Sequence, residues 1–256
     1  MLKFGKKRGV KPPLPPKKKV NRADLTIPEH LNELRQRLLR GLLAMIVAVL
    51  ICFAFGERLI AILAYPIGGI DRLISIEVTE NVSVFMRVSL LGGFILAFPY
   101  ILYEALAYIR PALEDHEWRG LLIAIPFATL LFVSGVLFAY FVMLPAALPF
   151  LISFIGITTT PRLSNYFSFV TGLLFWIGVS FETPLAVYLM ARFRLVTAEV
   201  LAKQWRIAVV VIAVLAAFVT PTPDPVNMGL LMIPLLVLYG LSILMAKIAR
   251  PAGAEK

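Results

Sequence analysis

Six apolar stretches decide what this 256-residue chain can fold into. They lie at about residues 39–60, 82–109, 120–144, 166–191, 207–220 and 228–246. An α-helix needs about 20 apolar residues to cross a bilayer, and most of these runs reach or approach that length. In hydrocarbon every backbone N–H and C=O must be satisfied internally, which leaves helices or closed barrels. Runs this long lack the two-residue alternation of barrel strands. The expected fold is an all-α polytopic membrane protein with six transmembrane helices. A composition of 60% hydrophobic and 16% charged residues argues against a water-soluble domain.

Charge gives the orientation. The formal net charge is +10, which by itself would admit nucleic acid as a partner. Its distribution does not. Lys and Arg number 12 in residues 1–40, two in 110–119, four in 192–206 and three after 246, whereas the other side holds only Arg58, Arg72 and Arg162. The positive-inside rule then places both termini in the cytoplasm. The basic excess reads as a topology signal and a contact with anionic lipid, with no nucleic-acid site. Residues 1–25 form a basic Pro/Lys-rich tail without core-forming residues, expected to be disordered. Residues 26–248 form the six-helix domain, and residues 249–256 a short cytoplasmic tail. The first span reads as a retained anchor, since no small-residue cleavage site follows a short apolar region. Cys52, the single cysteine, lies in an apolar run and reads as a small buried residue.

Between the spans the chain gives further signals. After Phe55-Gly56 an outer loop retains Leu59, Ile60, Ile62, Leu63 and Ile67, so it should pack on the membrane surface. Span two opens on Thr79-Glu80-Asn81, residues suited to a helix start. At about 42 Å of helix it must tilt or protrude. Residues 150–165 read as a second outer loop and Arg192 to Arg206 as an inner loop. Thr220-Pro221-Thr222-Pro223-Asp224-Pro225 reads as a rigid outer turn. Spans five and six are short, which calls for bilayer thinning or cover by a partner. No internal repeat of the transporter kind is visible.

Three acids stand out. The first, Glu33, lies in His30-Leu31-Asn32-Glu33-Leu34-Arg35-Gln36-Arg37-Leu38, just before span one. Leu31, Leu34 and Leu38 share a helical face, and Glu33 precedes Arg37 by four residues, the favourable order. Thr26 and Glu29 have capping-box spacing with Pro28 in the first turn, so a helix should start near Ile27. On pattern alone this stretch can serve merely as an interfacial lead-in. The second, Glu117, lies on the same side beside His116. Two carboxylates there suit paired guanidinium groups; equally, each can be a surface acid neutralised by Arg35, Arg37 or Arg119. The third, Glu182, lies deep in span four, before Pro184. An ionised group at that depth costs on the order of 2.5–3.5 kcal/mol, so it must be neutral, paired or open to a water-filled cavity. Arg87, inside span two, can snorkel to the outer interface or pair; Glu104, near the inner end, is adequately explained by snorkelling. There is no P-loop, no His-Glu-x-x-His and no nucleophile elbow, so no enzyme activity is expected. His30 and His116 lack companions at metal-ligand spacing, and no cofactor is expected.

Several segments in order resemble one family. They are His30 to Leu38, Tyr65-Pro66, Phe98-Pro99-Tyr100-Ile101-Leu102-Tyr103, Tyr108-Ile109-Arg110-Pro111-Ala112-Leu113 with His116-Glu117, Ser180-Phe181-Glu182-Thr183-Pro184, and Thr220 to Pro225. Over about residues 26–248 the chain resembles the TatC subunit of the twin-arginine, Sec-independent protein translocase. The resemblance implies a concave, cup-like six-helix receptor in the cytoplasmic membrane for folded cargo bearing a twin-arginine signal peptide. It implies Glu33 and Glu117 as contacts for the signal's arginines, with Tyr108 at a position usually Phe. His30, Leu31, Leu34, Arg35 and Pro111 complete that recognition surface. It implies Pro66 as the outer-loop proline and Glu182 as the intramembrane glutamate that meets a polar group of a TatA-type partner. TatA/TatB-type single-span proteins and an oligomeric complex follow as partners, with export drawing on the proton-motive force. Departures are Glu104 for a usual Gln, Leu106 for a frequent Trp, Trp118 for a usual base, Met228 for a common Gln and Gly240 for a common Glu. An alternative that the residues themselves allow is a proton-coupled small-solute transporter with Glu182 as proton carrier; a purely structural scaffold is a third.

Overall fold

The computed structural model describes residues 27–110, 115–152, 160–219 and 225–249. The expected basic tail, the chain beyond Ala249, Pro111 and the turn from Thr220 to Asp224 lie outside these residues. The described residues are helical apart from short turns and one isolated parallel bridge, Ile74 with Arg162. Five segments are long and apolar enough to cross a membrane: His30–Ala54, Glu80–Ile109, Trp118–Pro149, Leu163–Arg192 and Met228–Ala249. Trp205–Val219 is apolar but only 15 residues long.

Helix α1, Ile27–Ala54, opens the described residues, and the expected capping residue Thr26 lies outside them. The helix ends earlier than the expected residue 60. The chain breaks at Phe55, and α2, Gly56–Ala64, follows directly. Gly56 permits this, because a Cβ there would collide with the Phe85 ring. Leu63 and Ala64 are buried, so this segment packs on the bundle, a different contact from the membrane surface expected from its apolar content. The turn that follows needs Gly68 and Gly69, which adopt φ of +96° and +107°.

Helix α3, Glu80–Ile109, is the central element and packs against both α1 and α6, Leu163–Phe181. Its approach to α1 depends on Gly93: a Cβ there would lie 2.8 Å from the Val49 backbone. Small residues at such crossings are how membrane helices gain close packing, since burying apolar surface from lipid supplies little. Thr79 precedes α3 but makes no capping bond with its side chain, contrary to its sequence signal.

Helix α4, Asp115–Phe138, continues through a wide π-turn, Ala139–Met143, into α5, Leu144–Ile152. The expected end at residue 144 is therefore exceeded. Pro145 explains the wide turn, because it has no N–H for a regular bond to the preceding turn. Gly135 and Gly178 bring α4 and α6 together, and Phe132 and Phe167 are fully buried nearby.

Span four is two helices. α6 gives way at Glu182 to α7, Thr183–Arg192, because Pro184 cannot donate to the turn before it. The inner loop contains a helix the sequence reading did not anticipate, α8, Ala198–Lys203, whose Thr197 cap accepts from the Val200 N–H. Two further helices, α9, Trp205–Val219, and α10, Pro225–Ala249, complete the chain, α10 packing along α7 and α9.

Candidate functional site

The first turns of α1 meet the last turns of α3 at one end of the bundle. His30 and Tyr108 share a 2.7 Å hydrogen bond, and their rings stack with centroids 4.6 Å apart. About two helical turns further along α1, Arg37 bridges two carboxylates. Its Nε and Nη2 donate to Glu33 Oε1 at 3.0 and 2.7 Å, and its Nη1 donates to Glu104 Oε2 at 3.0 Å. The Tyr100 hydroxyl donates to the other Glu104 oxygen at 2.9 Å.

The two acids differ in access. Glu104 is buried, with its side chain 6% exposed, whereas the Glu33 side chain is 25% exposed. Snorkelling therefore does not account for Glu104; it is held between helices by Arg37 and Tyr100. Nothing local could have revealed this, since Arg37 and Glu104 are 67 residues apart. Leu34 is half-buried, while Leu31, Arg35 and Leu38 face outward. Two of the three leucines of the apolar stripe, Leu31 and Leu38, thus face away from the bundle, and Leu34 turns partly into it. Glu117 lies in the first turn of α4, but its side chain, like the whole of Pro111, is outside the described residues. Beside them, Arg110 lies 5.2 Å from the Trp118 ring centroid, a cation–π contact tying α3 to α4.

A second feature lies at mid-depth. Glu182 is half-buried at the break between α6 and α7, beside the Phe132 backbone of α4. Its Oε1 is buried and has no hydrogen-bond partner among the described residues. A buried acceptor without a partner is costly. On the side of α7, α9 and α10, Ser180, Thr183, Gln204 and Tyr239 contribute polar atoms to an otherwise apolar cavity of about 320 Å³. Gln204 was not legible as a lining residue, because only the tertiary fold brings it there. Arg87 lines a separate groove with Met45, Ser168 and Thr171, and forms no ion pair among the described residues.

The opposite end is closed by charge. Arg162, just before α6, pairs with Glu77 at 2.6 Å and with buried Glu80. Its hydrogen bonds to Glu77 and then Glu80 raise the Arg162 pKa above its ordinary value. Glu80 also accepts from the Ile76 N–H, so this acid turns back on the loop before its own helix. Pro66 sits half-buried in the short turn Tyr65–Ile67 at this end. Among the described residues no group of His, Cys, Asp and Glu could hold a metal ion.

These features define a class: a polytopic helical membrane protein with a partly open carboxylate ledge at one end and an orphaned acid at mid-depth. Comparison with known proteins narrows it. Residues 29–234 match the family model described as Sec-independent protein translocase protein (TatC). A TatC protein of Aquifex aeolicus is 38% identical over 232 residues, covering 88% of this chain and 96% of that one. One from Carboxydothermus hydrogenoformans is 33% identical over 230 residues, covering 89% and 95%. A crystal structure of the twin-arginine translocase receptor TatC is 36% identical and superimposes with a TM-score of 0.77, covering 86% of this chain and 99% of that one. The chain belongs to the TatC family, and so to a protein-transport family, not an enzymatic one.

Proposed function

We propose that this chain is the receptor subunit of a twin-arginine translocase, with the ledge of α1 and α3 as the docking place for the signal peptide's paired arginines. The observation that carries this reading is Glu33: a carboxylate one-quarter exposed, fixed in direction by Arg37, at the edge of an otherwise basic membrane face. Guanidinium groups bind carboxylates through short charge-assisted bonds that an ammonium cannot duplicate in geometry. In this reading Glu117 supplies the second carboxylate, and His30, Leu31, Leu34, Arg35, Tyr108 and Pro111 shape the surface around them. This face is cytoplasmic, as are both termini. The short α9 counts as a crossing, which makes six around a concave face in the cytoplasmic membrane.

The signal's apolar part then follows the bundle inward toward Glu182. The unpartnered Oε1 there would accept a hydrogen bond from a polar group on a TatA/TatB-type single-span helix, so that an oligomeric complex assembles for export driven by the proton-motive force. Pro66 belongs to the outer turn of this subunit. Crosslinking in native membranes tests the docking step. Glu33→Ala or Glu117→Ala lowers crosslinking to a twin-arginine signal and affects a Lys-Lys signal less; unchanged crosslinking in the double variant removes the role.

The same orphaned oxygen also suits a proton-coupled transporter of small solutes. That reading requires substrate-driven proton flux from the purified chain alone in liposomes.

A further inference from the structure

Arg37 stands where an arriving guanidinium would stand. It holds Glu33 with two nitrogens on a single oxygen, Oε1, and spends its third on Glu104. The two carboxylates are not equivalent. Glu104 is sealed between α1 and α3 and cannot lose its cation without leaving a buried charge unpaired, which is strongly destabilising. Glu33 lies at the open edge. The three charged groups sum to one negative charge, so one further cation would neutralise the cluster. Tyr100 fixes Glu104 from the side away from Arg37 and keeps its carboxylate in place whichever way Arg37 is turned.

We propose that Arg37 is a resident competitor for the cargo's arginine. In the empty receptor it caps Glu33. When a cargo guanidinium takes Glu33, Arg37 turns fully onto Glu104, and every buried charge stays paired throughout. Glu104 is then a positioning residue, acting on cargo through Arg37. The inference rests on the reading that Glu33 receives signal-peptide arginines. It adds an affinity threshold to that reading: every incoming cation meets the same cost of displacing Arg37, so the weaker binders fall below useful occupancy first.

The test uses the full chain in lipid nanodiscs and two fluorescent peptides, each with a charged pair followed by an apolar stretch, one pair Arg-Arg and the other Lys-Lys. Arg37→Gln alone would strand Glu104, so the informative variant is Arg37→Gln/Glu104→Gln. It carries the same net charge in the cluster as the parent, and simple electrostatic attraction is therefore matched. Freeing Glu33 should tighten Arg-Arg binding by roughly fivefold and Lys-Lys binding by a similar factor, since both are relieved of the same competitor. Glu104→Gln alone, which leaves Arg37 only Glu33 as an acid partner, should weaken Arg-Arg binding below the parent. Arg-Arg binding by the double variant equal to or weaker than the parent overturns the competition and makes Arg37 a brace. If the parent itself does not prefer Arg-Arg to Lys-Lys, the receptor reading fails first, and the competition falls with it.

Discussion

At position 108 the hydroxyl and the ring do different work. The ring stacks on His30, and the hydroxyl adds one hydrogen bond in a partly exposed place. Such a bond contributes about 0.5–1.5 kcal/mol, so Tyr108→Phe should lower peptide binding by no more than about tenfold. Tyr108→Ala, which removes the stack as well, should lower it much further in the same fluorescence titration. A side-chain pair of this kind is only half legible in sequence. Glu33 with Arg37 could be read directly, because four residues along a helix is a fixed geometry. His30 with Tyr108 and Arg37 with Glu104 could not, since each spans more than sixty residues and depends on how α1 lies against α3. Glu104 looked like an acid near a water boundary, and its burial became visible only with its neighbours in place.

Among the elements, α1 against α3 and α2 against α6 are the contacts most open to test. Gly93→Val would force a side chain onto the Val49 backbone and should cost roughly 1–3 kcal/mol. The half-buried Cys52 lies on the same face of α1, opposite Gly92, and its reaction with a thiol dye on heating reports the loss. Tyr166 donates to the Leu63 carbonyl at 2.7 Å and pins α2 to α6. Tyr166→Phe leaves that carbonyl unpaired and should lower stability by about 1 kcal/mol in the same assay, without altering Arg-Arg peptide binding at the other end. Helix boundaries were the least legible part of the chain. Apolar content placed the spans, but the breaks at Phe55 and Glu182 arise where a glycine or proline interacts with its packed surroundings, and α8 is a six-residue helix with no apolar period to announce it.

For the molecule as a whole, hydropathy carried the reading of the fold further than any single motif, because a bilayer restricts the backbone so severely. The end that holds Glu80 shows what such a pattern misses: Arg162, counted only as one of three cations expected on the outer side, clamps Glu77 and Glu80 across the loop that starts α3. Arg162→Gln should therefore open residues 74–78 to protease added from the outer side, and more so than Arg162→Gln/Glu80→Gln, which leaves no unpaired buried acid. At the other end, transport itself is the decisive quantity. In inverted membrane vesicles, uptake of a folded twin-arginine reporter should be lost with Glu33→Gln/Glu117→Gln while the chain remains at its normal level in the membrane. Uptake at the parental rate in those vesicles would contradict the claim that carboxylates at this membrane face receive the cargo's arginines.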